Sequence, residues 1–438
     1  MMELFGISFL FYFLPLFLGV YYITSDKNKP LAILLGSVIF YLLQAGISPW
    51  QVVLALIITV VTFLTGVEIR KENRRWLLTV SLTLLGALLL FFKLFRRGQY
   101  LPGGMSFYIF QMAAYLVDVR QGRVMPETSL ISYGAQMLMF PRLLSGPLAE
   151  PAQLQAQMAH PKISQVRFRA GLQELVLGLS LKVLLADRLA AIWSQTQIIG
   201  FESISPGLAW TALISFALRL YFDFYGYSMI AVGLGKLMGF ELPRNFDSPY
   251  AARSVSDFYR RWHMTLTRWF RQYVYIPLGG NRKGKPCMVL NILIVWILTG
   301  LWHGVGGNYL LWGMFLGLIM AAEKLWLGKR LERMRAGPHL YTLVVILLSW
   351  IPFAIGDRGQ LLTFLGRLFG LGGTGAVKLA GYVPLLGAGV LFASPLPERI
   401  FEKYRDRIWF DCVLFVLFWV CIYFVSTTAQ DPFLYFNF

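Results

Sequence analysis

The chain has 438 residues, 57% of them hydrophobic and 14% charged, with a mean hydropathy of +0.60; soluble domains are about 45–50% apolar and about 25% charged, so an ordinary cytosolic enzyme and a disordered chain are both excluded. Lys and Arg number 40 against 22 Asp and Glu, a net charge of +18, which in so apolar a chain points to cytoplasmic loops and anionic lipid rather than to nucleic acid. Cys287, Cys412 and Cys421 form neither a disulfide framework nor a CxxC pair and are expected to be packing residues.

From the N-terminus, the run Phe5 to Ile23 is too long for a signal-peptide core, lacks a small-residue cleavage site and is preceded by Glu3. It is expected to remain as a span. Lys27 and Lys29 follow; runs at 31–43 and 52–67 flank a turn near Pro49 and lead into Arg70, Lys71, Arg74 and Arg75. Both basic stretches belong in the cytoplasm, which puts the N-terminus outside. Further runs occupy 76–92, 105–117, 131–144, 172–192 and 210–240, then 288–301, 309–322, 340–355, 361–371, 379–392 and 409–425. A crossing helix needs about 20 residues, so the shorter, Gly- and Pro-interrupted runs read as tilted or re-entrant. The alternation of a β-barrel is absent. The expected architecture is an all-α integral membrane protein, one polytopic domain over residues 1–438 with about a dozen helical elements at membrane depth.

Residues 241–285 break the pattern: ELPRNFDSPYAARSVSDFYRRWHMTLTRWFRQYVYIPLGGNRKGK sets Arg244, Arg253, Arg260, Arg261, Arg268, Arg271, Arg282, Lys283 and Lys285 against Glu241, Asp247 and Asp257. Tyr259, Trp262, Trp269, Tyr273 and Tyr275 are interleaved. Two compatible readings stand: an interfacial segment with arginines on lipid phosphate, and a site for an anionic cofactor arriving from the cytoplasm.

The chain has only four histidines. His160 precedes Pro161 in a polar loop and is expected to be solvated, and His339 follows Gly337-Pro338 at the mouth of a span. His263 lies in YRRWH and His303 in LTGLWHG, at the end of an apolar run. An ionisable group at membrane depth is costly and marks a functional candidate. For His303 two roles stand side by side, a hydrogen-bonded structural histidine and a general base, to which an imidazole pKa of about 6.5 is suited. Gly304, Gly306 and Gly307 either make room for an acceptor or acyl chain or allow close helix packing. Arg219 and Asp223, four apart, are expected to neutralise each other, and Lys182 and Asp187 mark either a polar passage or a helix end.

Other chemistries find no motif. There is no HExxH, and the histidine spacing offers no metal site. No histidine has an acid five residues later, as soluble-facing glycerolipid acyltransferases would show. GLGGTG at 370–375 lacks a strand–helix context, GLGK at 233–236 lacks the Ser or Thr of a phosphate loop, and GxSxG is absent.

LPGGMSFYIFQMAAYLVDVRQG (101–122), FPRLLSGPL (140–148), YFDFYGYSMIAVGLGKLMGFELPRNFDSPY (221–250), RRWHMTLTRWFRQYVYIPLGGNRKG followed by LTGLWHG, and the closing PFLYFNF together resemble the membrane-bound O-acyltransferase family. The resemblance is closer to its bacterial alginate and polysaccharide O-acetylation branch, and it covers nearly the whole chain. It implies many tilted and re-entrant helices around a transmembrane tunnel. His303 matches the family's essential histidine, here expected to be the general base, and His263 matches its second histidine. Arg260, Arg261, Arg268, Arg271, Arg282 and Lys283 become candidates for coenzyme A phosphate contacts. The implied reaction moves an acyl group, expected to be acetyl, from acetyl-CoA as a substrate rather than a tightly bound cofactor, towards an extracytoplasmic polysaccharide. An SGNH-type acetyltransferase on the outer face is the expected partner, membrane lipid the surroundings and the bacterial cytoplasmic membrane the location. Three places depart: Gln272 where the family often has Asp, Tyr225 and Met229 where the branch usually has Ser and Asp, and Arg142 at a position often uncharged. D-alanyl transfer from a carrier protein to teichoic acid is the related alternative, though Pro277–Asn281 fits polysaccharide acetylation better. A transporter or flippase is the alternative without bond chemistry, and it calls for an internal repeat and paired midplane charges that are not evident.

Overall fold

The computed structural model describes residues 4–44, 47–71, 74–95, 101–335, 337–372 and 379–427. These residues form helices and loops without a β-strand. The first part holds α1 (Leu14–Ile23), α2 (Lys29–Leu43), α3 (Pro49–Glu68), α4 (Arg75–Phe95), α5 (Met105–Arg120), α6 (Leu130–Leu138), α7 (Phe140–Leu143) and α8 (Pro151–Ala159). The middle holds α9 (Gln165–Ser180), α10 (Asp187–Ile199), α11 (Pro206–Leu237), α12 (Val255–Arg261), α13 (Met264–Phe270), α14 (Gly284–His303) and α15 (Gly307–Ala322). The rest comprises α16 (Gly328–Arg333), α17 (Gly337–Ala354), α18 (Arg358–Leu368), α19 (Val383–Phe392), α20 (Leu396–Tyr404) and α21 (Ile408–Thr427).

Among the described residues, six helices are long and apolar enough to cross a membrane: Pro49–Glu68, Arg75–Leu94, Gly284–His303, Gly307–Arg333, Gly337–Ala354 and Ile408–Thr427. The pair Ala380–Phe392 and Leu396–Tyr404, bent by 62°, makes a further broken crossing or re-entrant loop. The chain is a multi-pass integral membrane protein. The first apolar run, read as a span, contains the shorter apolar helix Phe9–Ile23, and the second, read among the short runs, is indeed short. α2 has 15 residues, and at 1.5 Å per residue it reaches about 22 Å, short of a ~30 Å hydrocarbon core. Phe9, Phe13, Phe17, Phe40 and Phe140 stack in one aromatic cluster that packs α1 and α2 inward, and the Tyr21 hydroxyl donates to the Met238 carbonyl at 2.7 Å.

The run at 210–240 also behaves differently from a lipid-facing span. It belongs to α11, 32 residues long, and from Leu208 to Leu237 no residue is exposed. Protein surrounds this helix, which is why it can carry charge. Lys182, from the π-helical turn Leu181–Ala186 after α9, lies 2.7 Å from Asp187 and 2.8 Å from Asp223. To Asp223, which the sequence pairs with Arg219 along one helix, the structure adds a lysine from the neighbouring element. Glycines let α9 and α11 touch backbone to backbone. A Cβ on Gly178 would lie 2.5 Å from the Gly226 carbonyl oxygen, and one on Gly233 would lie 2.6 Å from that of Gly171. Any larger side chain on this seam forces the helices apart.

α14 and α15 form a second tight pair. A Cβ on Gly313 would come within 2.4 Å of the Trp296 carbonyl oxygen, and one on Gly304 would fall 2.4 Å from the Tyr309 ring. Gly304 therefore serves helix packing, because Tyr309 occupies the space an acceptor was expected to use. Lys93 of α4 donates to the carbonyl of Trp302, satisfying one of the acceptors left open where α14 ends. Of the cysteines, Cys421 is buried beside Ser180, but Cys412 is exposed and so does not pack inside. Glu3, Gly373 to Gly375 of the GLGGTG run, and the closing PFLYFNF lie outside the described residues.

Candidate functional site

One face of α14 carries Met288, Ile292, Val295, Trp296, Thr299 and His303, a stripe at the 3.6-residue helical spacing that lines a single cavity of about 910 Å³. Across from it stand Leu266, Thr267 and Phe270 of α13, again three to four residues apart, with His263 at the start of that helix. The two histidines are 4% and 6% exposed. At the other end of the cavity, exposed Arg253, Arg260, Arg271, Lys324 and Lys329 form a rim with Asp257 and Glu332 among them, and buried Glu323 stands in the wall beside it. Two π-helical turns, Arg271–Tyr275 and Glu323–Leu327, flank this rim. Such turns shift side chains off the regular helical phase and recur at functional sites.

His263 has a left-handed backbone, φ +46°. Among the described non-glycine residues only Ser248 shares a positive φ. The conformation is held from both sides: Asp247 N–H donates to the Arg261 carbonyl at 3.0 Å, and Met264 N–H to the Asn245 carbonyl at 2.9 Å. The Thr265 hydroxyl adds a 2.6 Å bond to the Asn245 side-chain oxygen. Strain of this kind, of order 1–3 kcal/mol, persists only where neighbours over-determine it. The His263 ring meets Phe224 edge-on at 4.6 Å and lies 6.1 Å from the Trp302 ring. Neither ring nitrogen has a hydrogen-bond partner among the described residues. The His303 ring is set edge-on against Trp302 at 4.5 Å and against Trp312 and Phe353 at 5.0 Å each. Aromatic walls fix both imidazoles in orientation and keep bulk water from them.

Of the residues singled out in the sequence, His303, His263, Arg260 and Arg271 share the cavity. Arg261 does not line it; one residue on from Arg260 it is turned by about 100°, and it faces Asp257 at 3.3 Å and Asp247 at 3.6 Å. Arg268 sits off the lining stripe of α13, 3.6 Å from Glu150, in a separate pocket of about 20 Å³. Arg282 and Lys283 occupy the exposed turn before α14 and stay outside the lining. Lys324, Lys329 and Glu323 were missed because they trail the 309–322 run, where a charge cluster reads as a helix end. Arg253 was visible but indistinguishable from its basic neighbours. The departures lie away from the cavity. Gln272 lines the smaller pocket, Tyr225 packs on Phe246 at 5.5 Å, and Arg142 is buried, with its guanidinium on the Pro147 and Gln136 carbonyls at 3.1 and 3.2 Å. His160 and His339 are exposed, the latter 3.1 Å from the Ala252 carbonyl. Among the described residues no group of His, Cys, Asp and Glu is placed to hold a metal ion.

A cavity with imidazoles at its buried end and cations at its rim can gather an anionic molecule and accept a proton from a hydroxyl brought to it. Comparison with known proteins bears on the class of that chemistry. A family model described as membrane-bound O-acyltransferase matches residues 50–340, a stretch that contains every cavity residue named above. The chain is 31% identical to the probable alginate O-acetylase of Pseudomonas putida, with 98% of this chain and 99% of that protein covered. It is 30% identical to the peptidoglycan O-acetyltransferase of Helicobacter pylori, over 85% of this chain and 80% of that protein. With the teichoic acid D-alanyltransferase of Streptococcus thermophilus the identity is 27%, over 52% of this chain and 58% of that protein.

Proposed function

The chain belongs to the membrane-bound O-acyltransferase family, and on that footing we propose that it passes an acetyl group from cytoplasmic acetyl-CoA outward for the O-acetylation of an extracytoplasmic polysaccharide. Membership makes it an acyltransferase, so the transporter alternative falls away. The observation that carries the finer reading is the shared cavity: His263 and His303 line its buried end, and Arg253, Arg260, Arg271, Lys324 and Lys329 its rim.

In this reading the rim holds the phosphates of the donor, and the pantetheine arm carries the thioester inward. His303 takes the proton of an acceptor hydroxyl as its oxygen attacks the thioester carbonyl. The C–O bond forms, the C–S bond breaks, and the proton passes from the imidazole to the departing thiolate. His263, with ring nitrogens open to a ligand, donates a hydrogen bond that orients the donor carbonyl. The rim's neighbours support a cytoplasmic assignment. Arg271 is two residues from Tyr273, whose hydroxyl donates to Asp118 at 2.9 Å. Asp118 pairs with Arg123, and Arg120 reaches the Ile69 carbonyl beside Arg70, so the rim sits at a basic end of the bundle.

Of the three named relatives, the two with the higher identity and coverage are named for alginate and for peptidoglycan O-acetylation and the third for teichoic acid D-alanylation, which supports a polysaccharide acceptor as a class. A bacterial inner-membrane location and an outer-face SGNH-type acetyltransferase that completes the transfer belong to the same proposal. The test is His303→Ala in purified, folded protein given labelled acetyl-CoA. Loss of turnover by about 10²-fold or more is expected; wild-type turnover in that variant would overturn the assignment of the base. A wild-type protein that ignores acetyl-CoA but accepts D-alanine from a charged carrier would replace the donor.

A further inference from the structure

Glu323 is a buried carboxylate in the cavity wall, 6% exposed. Its two oxygens accept from the backbone N–H groups of Val255 at 2.7 Å and Ser256 at 2.8 Å, and the Tyr341 hydroxyl adds a bond at 3.2 Å. Val255 and Ser256 open α12, and the Ser254 hydroxyl oxygen takes the next free N–H, that of Asp257, at 3.0 Å. The first turn of α12 is thereby anchored on a residue 67 positions away from Ser256, at the end of α15.

The two elements tied by this bond carry different halves of the site. α15 packs against α14, which ends in His303. α12 runs seven residues, about 10 Å, and leads directly through Trp262 into the left-handed His263. Asn245 and Asp247 hold the far end of this lever, and Glu323 holds the near end. Two more ties bind the same segment to the same side: the Arg253 guanidinium on the Met334 carbonyl at 2.9 Å and His339 on the Ala252 carbonyl at 3.1 Å.

We infer that Glu323 is a positioning residue, which through α12 holds His263 in its strained backbone and keeps its imidazole registered against His303. The inference rests on His263 belonging to the acyl-transfer site. A short helix released at one end can rotate, and a left-handed residue at its other end then relaxes toward an ordinary backbone, carrying the imidazole away from the reacting atoms. The bonds involve a charged acceptor, so they are stronger than neutral ones.

Two variants approach the same bonds from opposite sides. Glu323→Gln keeps the shape but leaves only one side-chain oxygen to accept. Val255→Pro removes one donor at the first helical position, where proline fits and the extended backbone of Ser254 (φ −157°, ψ 160°) suits it. Each is expected to lower kcat for acetyl-CoA turnover on the order of tenfold, with KM within about twofold, as for displaced rather than lost chemistry. The second readout needs no activity. With only four histidines, ¹⁵N-histidine labelling gives four pairs of imidazole nitrogen signals, assigned by single His→Ala variants. The His263 signal is expected to shift in both variants and the His160 signal to stay. An unchanged kcat in either folded variant, or an unmoved His263 signal, overturns the inference. A wild-type protein with no acetyl-CoA turnover sinks the proposed function instead and leaves the imidazole signals to decide this point.

Discussion

Lys324 and Lys329 stand at the rim of the cavity on or next to α16, both exposed. Arg260, by contrast, already has Asp257 at 2.8 Å, so the lysines have the greater share of their charge free for a donor phosphate. Exposed charge pairs contribute up to about 1 kcal/mol each. Removing both in Lys324→Ala/Lys329→Ala therefore weakens donor binding by about 2 kcal/mol, which at 1.4 kcal/mol per tenfold is roughly a thirty-fold rise in KM. The assay is initial-rate thioester turnover by the protein in nanodiscs with two donors, acetyl-CoA and acetyl-pantetheine, the second lacking the phosphates. The KM for acetyl-CoA rises, the KM for acetyl-pantetheine does not, and kcat holds for both. Raising the ionic strength from 0.1 to 1 M shrinks the Debye length from about 10 to about 3 Å, and the gap between wild type and variant narrows with it. An equal rise in KM for both donors, or none for either, refutes the rim as a phosphate-binding feature.

Arg268→Ala leaves the KM for acetyl-CoA within about twofold of wild type, because this side chain is turned to Glu150 outside the cavity; a larger rise would mean that the donor lies elsewhere. Lys182→Ala removes a buried cation from beside Asp187 and Asp223 and costs up to about 3–5 kcal/mol, seen as a lower midpoint for thermal loss of the monodisperse peak in size-exclusion chromatography. Gly178→Leu drives a side chain into the Gly226 carbonyl at a cost of about 1–3 kcal/mol or more, and the yield of folded protein in membranes falls.

What could be read from the sequence was whatever depends on local pattern. Fifty-seven per cent apolar residues arranged in long runs can only be a helical membrane protein, and the rare histidines of YRRWH and LTGLWHG stood out against that background. Helical phase was harder. Nothing in RRWH tells which of Arg260 and Arg261 turns to the cavity until the axis of α12 is placed. The burial of α11 was hidden as well, because a run at 210–240 reads the same whether lipid or protein surrounds it; its glycines make sense only opposite those of α9. Glu323 and Lys93 each bridge elements distant in the chain, as Lys182 does in reaching Asp223, and such pairings leave no trace in local spacing. Gly304 shows the reverse case, a residue noticed for room it does not provide, since Tyr309 fills it.

The imidazole at position 263 hangs from a main-chain shape that a side chain ordinarily avoids, at a cost of about 1–2 kcal/mol. Glycine there would settle the steric quarrel and delete the ring in one stroke. On the role proposed for His263, backbone ease and turnover pull in opposite directions at a single residue, and the chain with the relaxed main chain is the idle one.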